Sequence, residues 1–348
     1  MIQLHPGDKV AIVSLSQGIL GEEFAKHQLE LGKQRLRELN LEAVIMPHAL
    51  DGIDKLAEHP ELRAADLIDA FQDPTIKGII CAIGGDDTFR LAPYVFTDEV
   101  HKIIQNNPKL FMGDSDTTIN HLMLHKLGIN SFYGLSFLTC FAELGEEMLP
   151  YSKASFKQLF NDQSFVYHSI PVWYEERTDF SQGALRTERI KHQEKISYNH
   201  IQGQKQFSGH LLGGCIESLT ELLTGSRYDE EVEINQKYKI FPNLNEWEEA
   251  VIFLETSEEK PTPEKFTQMV EVLKDYGIFD HVSGVLLGKA QDEVFNEDYA
   301  EILVELLPKD LPVVTNVNFG HAYPKMVMQY GAPTFVDMNK KEIRIGRL

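Results

Sequence analysis

The sequence predicts an α/β protein in two domains, the first built on a parallel sheet and the second rich in strands. Three observations carry that expectation. At 348 residues the chain is long for one compact core and comfortable for two. Between residues 9 and 134 short apolar runs alternate with segments of helical period, the pattern of βαβ units with right-handed crossovers. From residue 312 onward the pattern becomes mostly short strands.

In order, residues 9–15 read as a strand, 21–39 as an amphipathic helix and 42–46 as a second strand. Residues 60–71 read as a helix with Pro60 at its start, where a missing N–H is tolerated. A strand at 76–83 runs into Gly84-Gly85, and the run 110–112 is a buried strand ending in the turn formers Gly113 to Asp116. Ile119, Leu122 and Met123 then recur at helical spacing, and 131–134 is a further short strand. Residues 164–206, first aromatic and charged and then polar, break the pattern. They imply a crossover with an excursion able to form a flap. Beyond it, 207–224 reads as strand, Gly213-Gly214 turn and helix, and 250–255 as an apolar strand ending in a carboxylate. A helix at 263–276, a strand at 284–287 and a helix at 299–306 lead to strands at 313–315, 326–330, 334–338 and 342–345. The domains expected are 1–165, a crossover and flap at 166–206, and 207–348.

Composition narrows the function. Fifty-three acidic against 33 basic residues give a formal charge of −20, which would repel a nucleic-acid polymer, and no basic run offsets it. No apolar run approaches the roughly 18 residues that span a bilayer, and the first residues carry no basic leader, so a cytoplasmic protein without membrane partners is expected. Cys81, Cys140 and Cys215 are far apart and form no CxxC, which argues against a disulfide frame or a zinc knuckle.

The stretch KLFMGDSDTTINHLML at 109–124 puts Ser115 at a strand–turn–helix junction. That geometry lifts a hydroxyl from a sheet edge and aims backbone N–H groups at a carbonyl. Ser and Asp residues there equally serve as helix caps. In IGGDDTFRL at 83–91 the paired glycines let backbone N–H groups approach a ligand, as an oxyanion or phosphate cradle or simply as a tight turn. This loop is similar to the GGDGT loop of NAD and lipid kinases, but Asp87 stands where that loop has glycine and would repel a phosphate. In VIFLETSEE at 251–259 Glu255 follows four apolar residues, which puts it either at a solvated strand mouth or in a role that needs it. His321 follows Gly320 in the loop NVNFGHAYPKMVMQYG at 316–331, between two strands. His121 and His125 share a helix face but lack the glutamate of a zinc-binding HExxH. Asp114 and Asp116 form a DxD pair with too few further acidic ligands for a divalent metal.

Four of these stretches occur together in order: GDSDTT around Ser115, the glycines of AIGGDDT, FLETSEE around Glu255 and GH at His321. Together they resemble the LD-carboxypeptidase family of serine peptidases over nearly the whole chain. ETSEE, the segment VWYEERTDF containing Trp173, and LLGGCIESL look closer to the microcin C immunity branch, whose members hydrolyse peptidyl-nucleotide analogues. The resemblance implies a Rossmann-like first domain, a smaller second domain and a site between them. It also implies Ser115 as nucleophile, His321 as general base and acid, and Glu255 orienting the imidazole. Backbone N–H groups of Gly85 and Asp116 would form the oxyanion hole, with Gly84, Trp173 and Gly214 near the substrate. No metal or organic cofactor is implied, and a homodimer is. Cys215 departs from the family, many of whose members have Asn in a GGN turn.

The expected activity is therefore hydrolysis of a small peptide-like substrate, either an aminoacyl- or peptidyl-nucleotide or a murein tetrapeptide. Two other classes stay open. One is a kinase-like nucleotide enzyme cradling phosphate on Gly84-Gly85 with nearby aspartates, and the other a non-catalytic nucleotide- or peptide-binding protein.

Overall fold

A computed structural model describes residues 2–348. Five short strands pair in parallel in the first half, in the order Phe132–Tyr133, Leu110–Gly113, Ile76–Cys81, Lys9–Val13 and Glu42–Ile45. The central ones are apolar throughout because both faces are covered: Val10, Ile12, Ile79, Ile80, Phe111 and Met112 are fully buried. Helices Lys26–Glu38, Pro60–Gln72, Asp98–Asn106 and Thr117–Lys126 supply the crossovers. The first of them starts at Lys26, not at 21, because residues 19–25 close two 3₁₀ turns that swing Phe24 out to 62% exposure.

The second sheet has eight strands. Its centre is parallel, in the order Gln206–Cys215, Ala250–Glu255, Gly284–Gly288 and Val313–Val317. Antiparallel strands flank it: Pro333–Asp337, Glu342–Ile345 and Phe165–His168 on one side, Asn199–Gln202 on the other. The α/β fold with a parallel first sheet and a strand-rich second half is as the sequence predicts. Gly213-Gly214, however, is not a turn. Both glycines are strand residues with φ near +146° and +145°, and the helix Ile216–Thr224 begins immediately after Cys215. A Cβ on Gly213 would collide with the carbonyl of Phe253 on the next strand, and one on Gly214 with the side chain of Thr118.

The segment read as 326–330 also lands elsewhere. Met328–Gln329 leaves the second half and pairs antiparallel with Phe132–Tyr133, completing the edge of the first sheet. The flap is a two-stranded ribbon of Val172–Tyr174 and Lys191–Gln193. Buried ion pairs pin it, Glu143 to Arg177 (2.5 Å) and Arg189 (2.7 Å), and Lys289 to Glu194 (3.1 Å). No helix among the described residues is long and apolar enough to cross a membrane.

Candidate active site

The carboxyl ends of parallel strands open a crevice where loops can converge, and both sheets turn those ends toward one cavity. It has a volume of about 390 Å³. The first sheet contributes Gly84, Gly85 and Ser115, and the second contributes Cys215, Glu258 and the His321 loop.

Ser115 sits between the Leu110–Gly113 strand and the Thr117–Lys126 helix with φ +61°, a conformation that costs a non-glycine residue roughly 1–2 kcal/mol. Its backbone N–H donates to the Tyr133 hydroxyl at 3.1 Å. That hydroxyl donates to Glu255 Oε1 at 2.5 Å, and Glu255 Oε2 meets His321 Nδ1 at 2.7 Å. Glu255 is fully buried at the last position of its strand, so it does not stand at a solvated strand mouth. Its other bond is from the His321 backbone N–H at 3.2 Å. Burial alone would lower the imidazole pKa, but Glu255 and then Glu258 hold it well above the usual histidine value.

Gly84 and Gly85 leave space that side chains would fill. A Cβ on Gly84 would lie 2.5 Å from the Cβ of Ser115, and one on Gly85, at φ +149°, would strike Ser16. Among the described residues, neither the N–H of Gly85 nor that of Asp116 has an acceptor. Gly85 follows the glycine that abuts Ser115, and Asp116 follows Ser115 and is also the N-cap of the ten-residue helix, whose dipole favours negative charge there. The Asp116 carboxyl faces away, accepting from Thr88 N at 2.9 Å, and burial pushes its pKa up to about 7.

Trp173 and Gly214 stand outside the cavity lining. Trp173 is 7% exposed in the flap ribbon, stacked on His192 at 4.3 Å with Lys289 Nζ 5.2 Å from its ring. The aromatics at the mouth are instead Phe24 and Phe180, 62% and 43% exposed. Cys215 lines the cavity as a thiol: burial and Glu217 push its pKa well up, and it donates to Glu217 Oε2 at 3.3 Å. Asp87 does not crowd the cradle, because its carboxylate turns away to Arg63 (2.5 and 3.1 Å) and Arg90 (3.1 Å). Both nitrogens of His121 are engaged, by Ser131 at 2.7 Å and the Gly113 carbonyl at 3.1 Å, and burial lowers its pKa to about 4. It is a core residue.

Sequence reading missed Tyr133, Lys325 and Glu217. Lys325, 1% exposed, pairs at 2.7 Å with Asp114, the residue before Ser115. Glu217 accepts from the N–H and hydroxyl of Ser257 at 2.9 and 2.8 Å, with a carboxyl pKa raised by burial. Lys325 lies in the His321 stretch and Glu217 directly follows the GGC run, but nothing in either pattern says which way the side chain points.

Residues 10–134 match the model of the LD-carboxypeptidase N-terminal domain, and residues 208–336 that of the C-terminal domain. A crystal structure of an MccF-like protein from Streptococcus pneumoniae in complex with AMP is 49% identical in sequence and superposes with a TM-score of 0.94, covering 97% of this chain and 98% of that one. The microcin C7 self-immunity protein MccF of Escherichia coli is 26% identical over 294 residues, 81% of this chain and 77% of its own. A probable murein peptide carboxypeptidase of Bacillus subtilis is 25% identical over 314 residues, 88% and 83% of the two chains.

Proposed function

The chain belongs to the LD-carboxypeptidase family, and from that premise we propose that it is a serine peptidase cleaving an aminoacyl- or peptidyl-nucleotide. The observation that carries the mechanism is the continuous link from His321 through Glu255 and Tyr133 to the backbone of Ser115, with His321 and Ser115 lining one cavity. Ser115 Oγ attacks the carbonyl carbon while His321 Nε2 takes its proton. Glu255 holds the Nδ1 proton and balances the imidazolium. The N–H groups of Gly85 and Asp116 receive the oxyanion, at the helix N-terminus where negative charge is favoured. His321 then protonates the leaving nitrogen, and a water activated by the same imidazole hydrolyses the acyl-enzyme.

Two observations favour a nucleotide portion in the substrate. The Streptococcus pneumoniae relative was solved with AMP. Phe24 and Phe180 leave apolar rings exposed at the cavity mouth, where stacking on a base contributes roughly 1–3 kcal/mol. The second reading, trimming of a murein tetrapeptide, rests on the Bacillus subtilis relative. The enzyme is further taken to be a cytoplasmic homodimer that needs no cofactor, and sedimentation equilibrium checks the assembly.

The test is incubation with an aminoacyl sulfamoyl adenosine and, separately, a murein tetrapeptide, read by mass spectrometry. The expected result is cleavage of the first, abolished in Ser115→Ala with folding and binding retained. Turnover within a few fold of wild type in that variant would sink the nucleophile assignment. Cleavage of the tetrapeptide alone would move the enzyme to the second reading.

A further inference from the structure

His321 carries a carboxylate at each end of its ring. Glu255 Oε2 meets Nδ1 at 2.7 Å, and Glu258 Oε2 meets Nε2 at 3.0 Å. Nε2 is the nitrogen that must receive the proton of Ser115, and among the described residues Ser115 makes no side-chain hydrogen bond to it. The two carboxylates are held very differently. Glu255 closes a strand, its side chain is 1% exposed, and Tyr133 ties its second oxygen. Glu258 lies in the tight turn after that strand, closed by Lys260 N donating to the Ser257 carbonyl at 3.2 Å. Its side chain is 65% exposed, and His321 is its one charged partner among the described residues. Swinging it into solvent breaks one ion pair and opens no void.

The cations of the cavity lining are paired with other carboxylates. Lys325 is committed to Asp114 at 2.7 Å, and Arg227 to Glu259 and Glu221 at 2.7 and 3.0 Å. Resting on the Ser115–His321 reading above, we propose that Glu258 is a latch. In the free enzyme its carboxylate occupies the Nε2 edge of His321, and the entering substrate displaces it and hands that edge to Ser115. Glu258 is thus a positioning residue that acts through the imidazole and takes no part in the chemical steps.

The groups acting on His321 are Glu255 with Tyr133 behind it, Glu258 on the following turn, Lys325 on its own loop paired with Asp114, and Glu217 beneath Glu255. Both carboxylates favour the imidazolium, so removing the Glu258 charge lets the ring lose its proton at lower pH. Only the free enzyme has the latch closed. The acid limb of kcat/KM reports the free enzyme and that of kcat the substrate complex, so a latch moves the first and spares the second.

The experiment compares wild type with Glu258→Gln and Glu258→Ala. The pH profiles of kcat and kcat/KM are measured on the aminoacyl sulfamoyl adenosine, and the His321 titration is followed by NMR in free enzyme carrying labelled histidine. The expected result in both variants is an acid limb of kcat/KM, and an NMR titration, about one pH unit lower, with the kcat limb unmoved. On the acid side this is roughly a tenfold rise in kcat/KM. Equal movement of both limbs, movement of neither, or a loss of kcat beyond tenfold in both variants would overturn the latch. If wild type cleaves neither substrate, the peptidase reading has failed. The NMR arm then decides the contact alone: an unshifted His321 titration refutes it, and a lowered one upholds it.

Discussion

Replacing Lys325 with Met isolates the charge paired with Asp114, the residue before Ser115. Lys325 Nζ lies 2.7 Å from Asp114 Oδ2, and the two side chains are 1% and 4% exposed. At that distance the gross attraction is about 6 kcal/mol for an effective dielectric of about 20. Desolvating each ion costs several kcal/mol, so the intact pair contributes little net stability. Removing one member is another matter. It leaves the Asp114 carboxylate buried with only the Ser136 hydroxyl on its other oxygen, a loss of about 3–5 kcal/mol. Met328–Gln329 comes from the second half of the chain and borders the first sheet, and for a single cooperative transition a chain of 348 residues gains about 0.7 kcal/mol/K of unfolding entropy. Tm should therefore fall by about 4–7 °C, read by scanning calorimetry. The sign with pH follows from linkage. Burial lowers the Lys325 pKa, but Asp114 more than reverses this, so it lies well above the usual lysine value. Its contribution is complete below pH about 10.5 and is lost only as pH rises through the elevated native value, so the lysine's own titration adds no pH dependence between pH 6 and pH 9. Adding Asp114→Asn should recover at least about 2 kcal/mol. A Tm unchanged within about 1 °C in Lys325→Met, or a double variant as unstable as the sum of the singles, would refute this reasoning.

Other outcomes follow from single contacts. Gly84→Ala places a Cβ 2.5 Å from that of Ser115, so the strand–helix junction must shift, and kcat/KM should fall by about a hundredfold with a fold still cooperative by calorimetry. Burial raises the Asp66 pKa to about 6, a destabilising contribution that is absent below pH about 3.8 and complete above about 6. Asp66→Asn, whose amide oxygen can still accept from His48 N, should therefore gain about 1–3 kcal/mol by urea denaturation at pH 8 and far less at pH 4.5. Glu143→Ala removes the carboxylate that Arg177 and Arg189 share, leaving Arg189 its weaker contact with Glu176 at 3.2 Å, and loosens the flap; trypsin should cut there at least about ten times faster, and an unchanged cleavage rate would mean the flap is held elsewhere.

Much of the framework was legible because it is local. The strand at 110–112, the turn formers after it and the helical spacing beyond put Ser115 on a sheet rim, and a carboxylate after four apolar residues marked Glu255. What stayed hidden depends on contacts far apart in sequence. Tyr133 sits in a strand of two residues and acts through Glu255, 122 positions away. Met328–Gln329 has a strand's composition, but composition says nothing about which sheet it joins. Gly213-Gly214 resembles a turn because both turns and tight strand packing exclude Cβ, and only the neighbours Phe253 and Thr118 distinguish them. What covers Trp173 was not legible either, because His192 and Lys289 come later in the chain.

The return of residues 328–329 to the first sheet also sets when this protein becomes competent during synthesis. The strand carrying Tyr133 leaves the ribosome early but keeps an open edge until Met328 and Gln329 arrive, nearly two hundred residues later. The same late segment delivers His321 and Lys325 to a cavity whose Ser115 side has long been translated. A nascent chain thus holds Ser115 without His321, and its first sheet without a closed border. At about 5–20 residues per second that interval lasts roughly ten seconds or more. Over those seconds the unpaired edge is a template for pairing with another chain, a hazard that the arrival of Met328 and Gln329 removes.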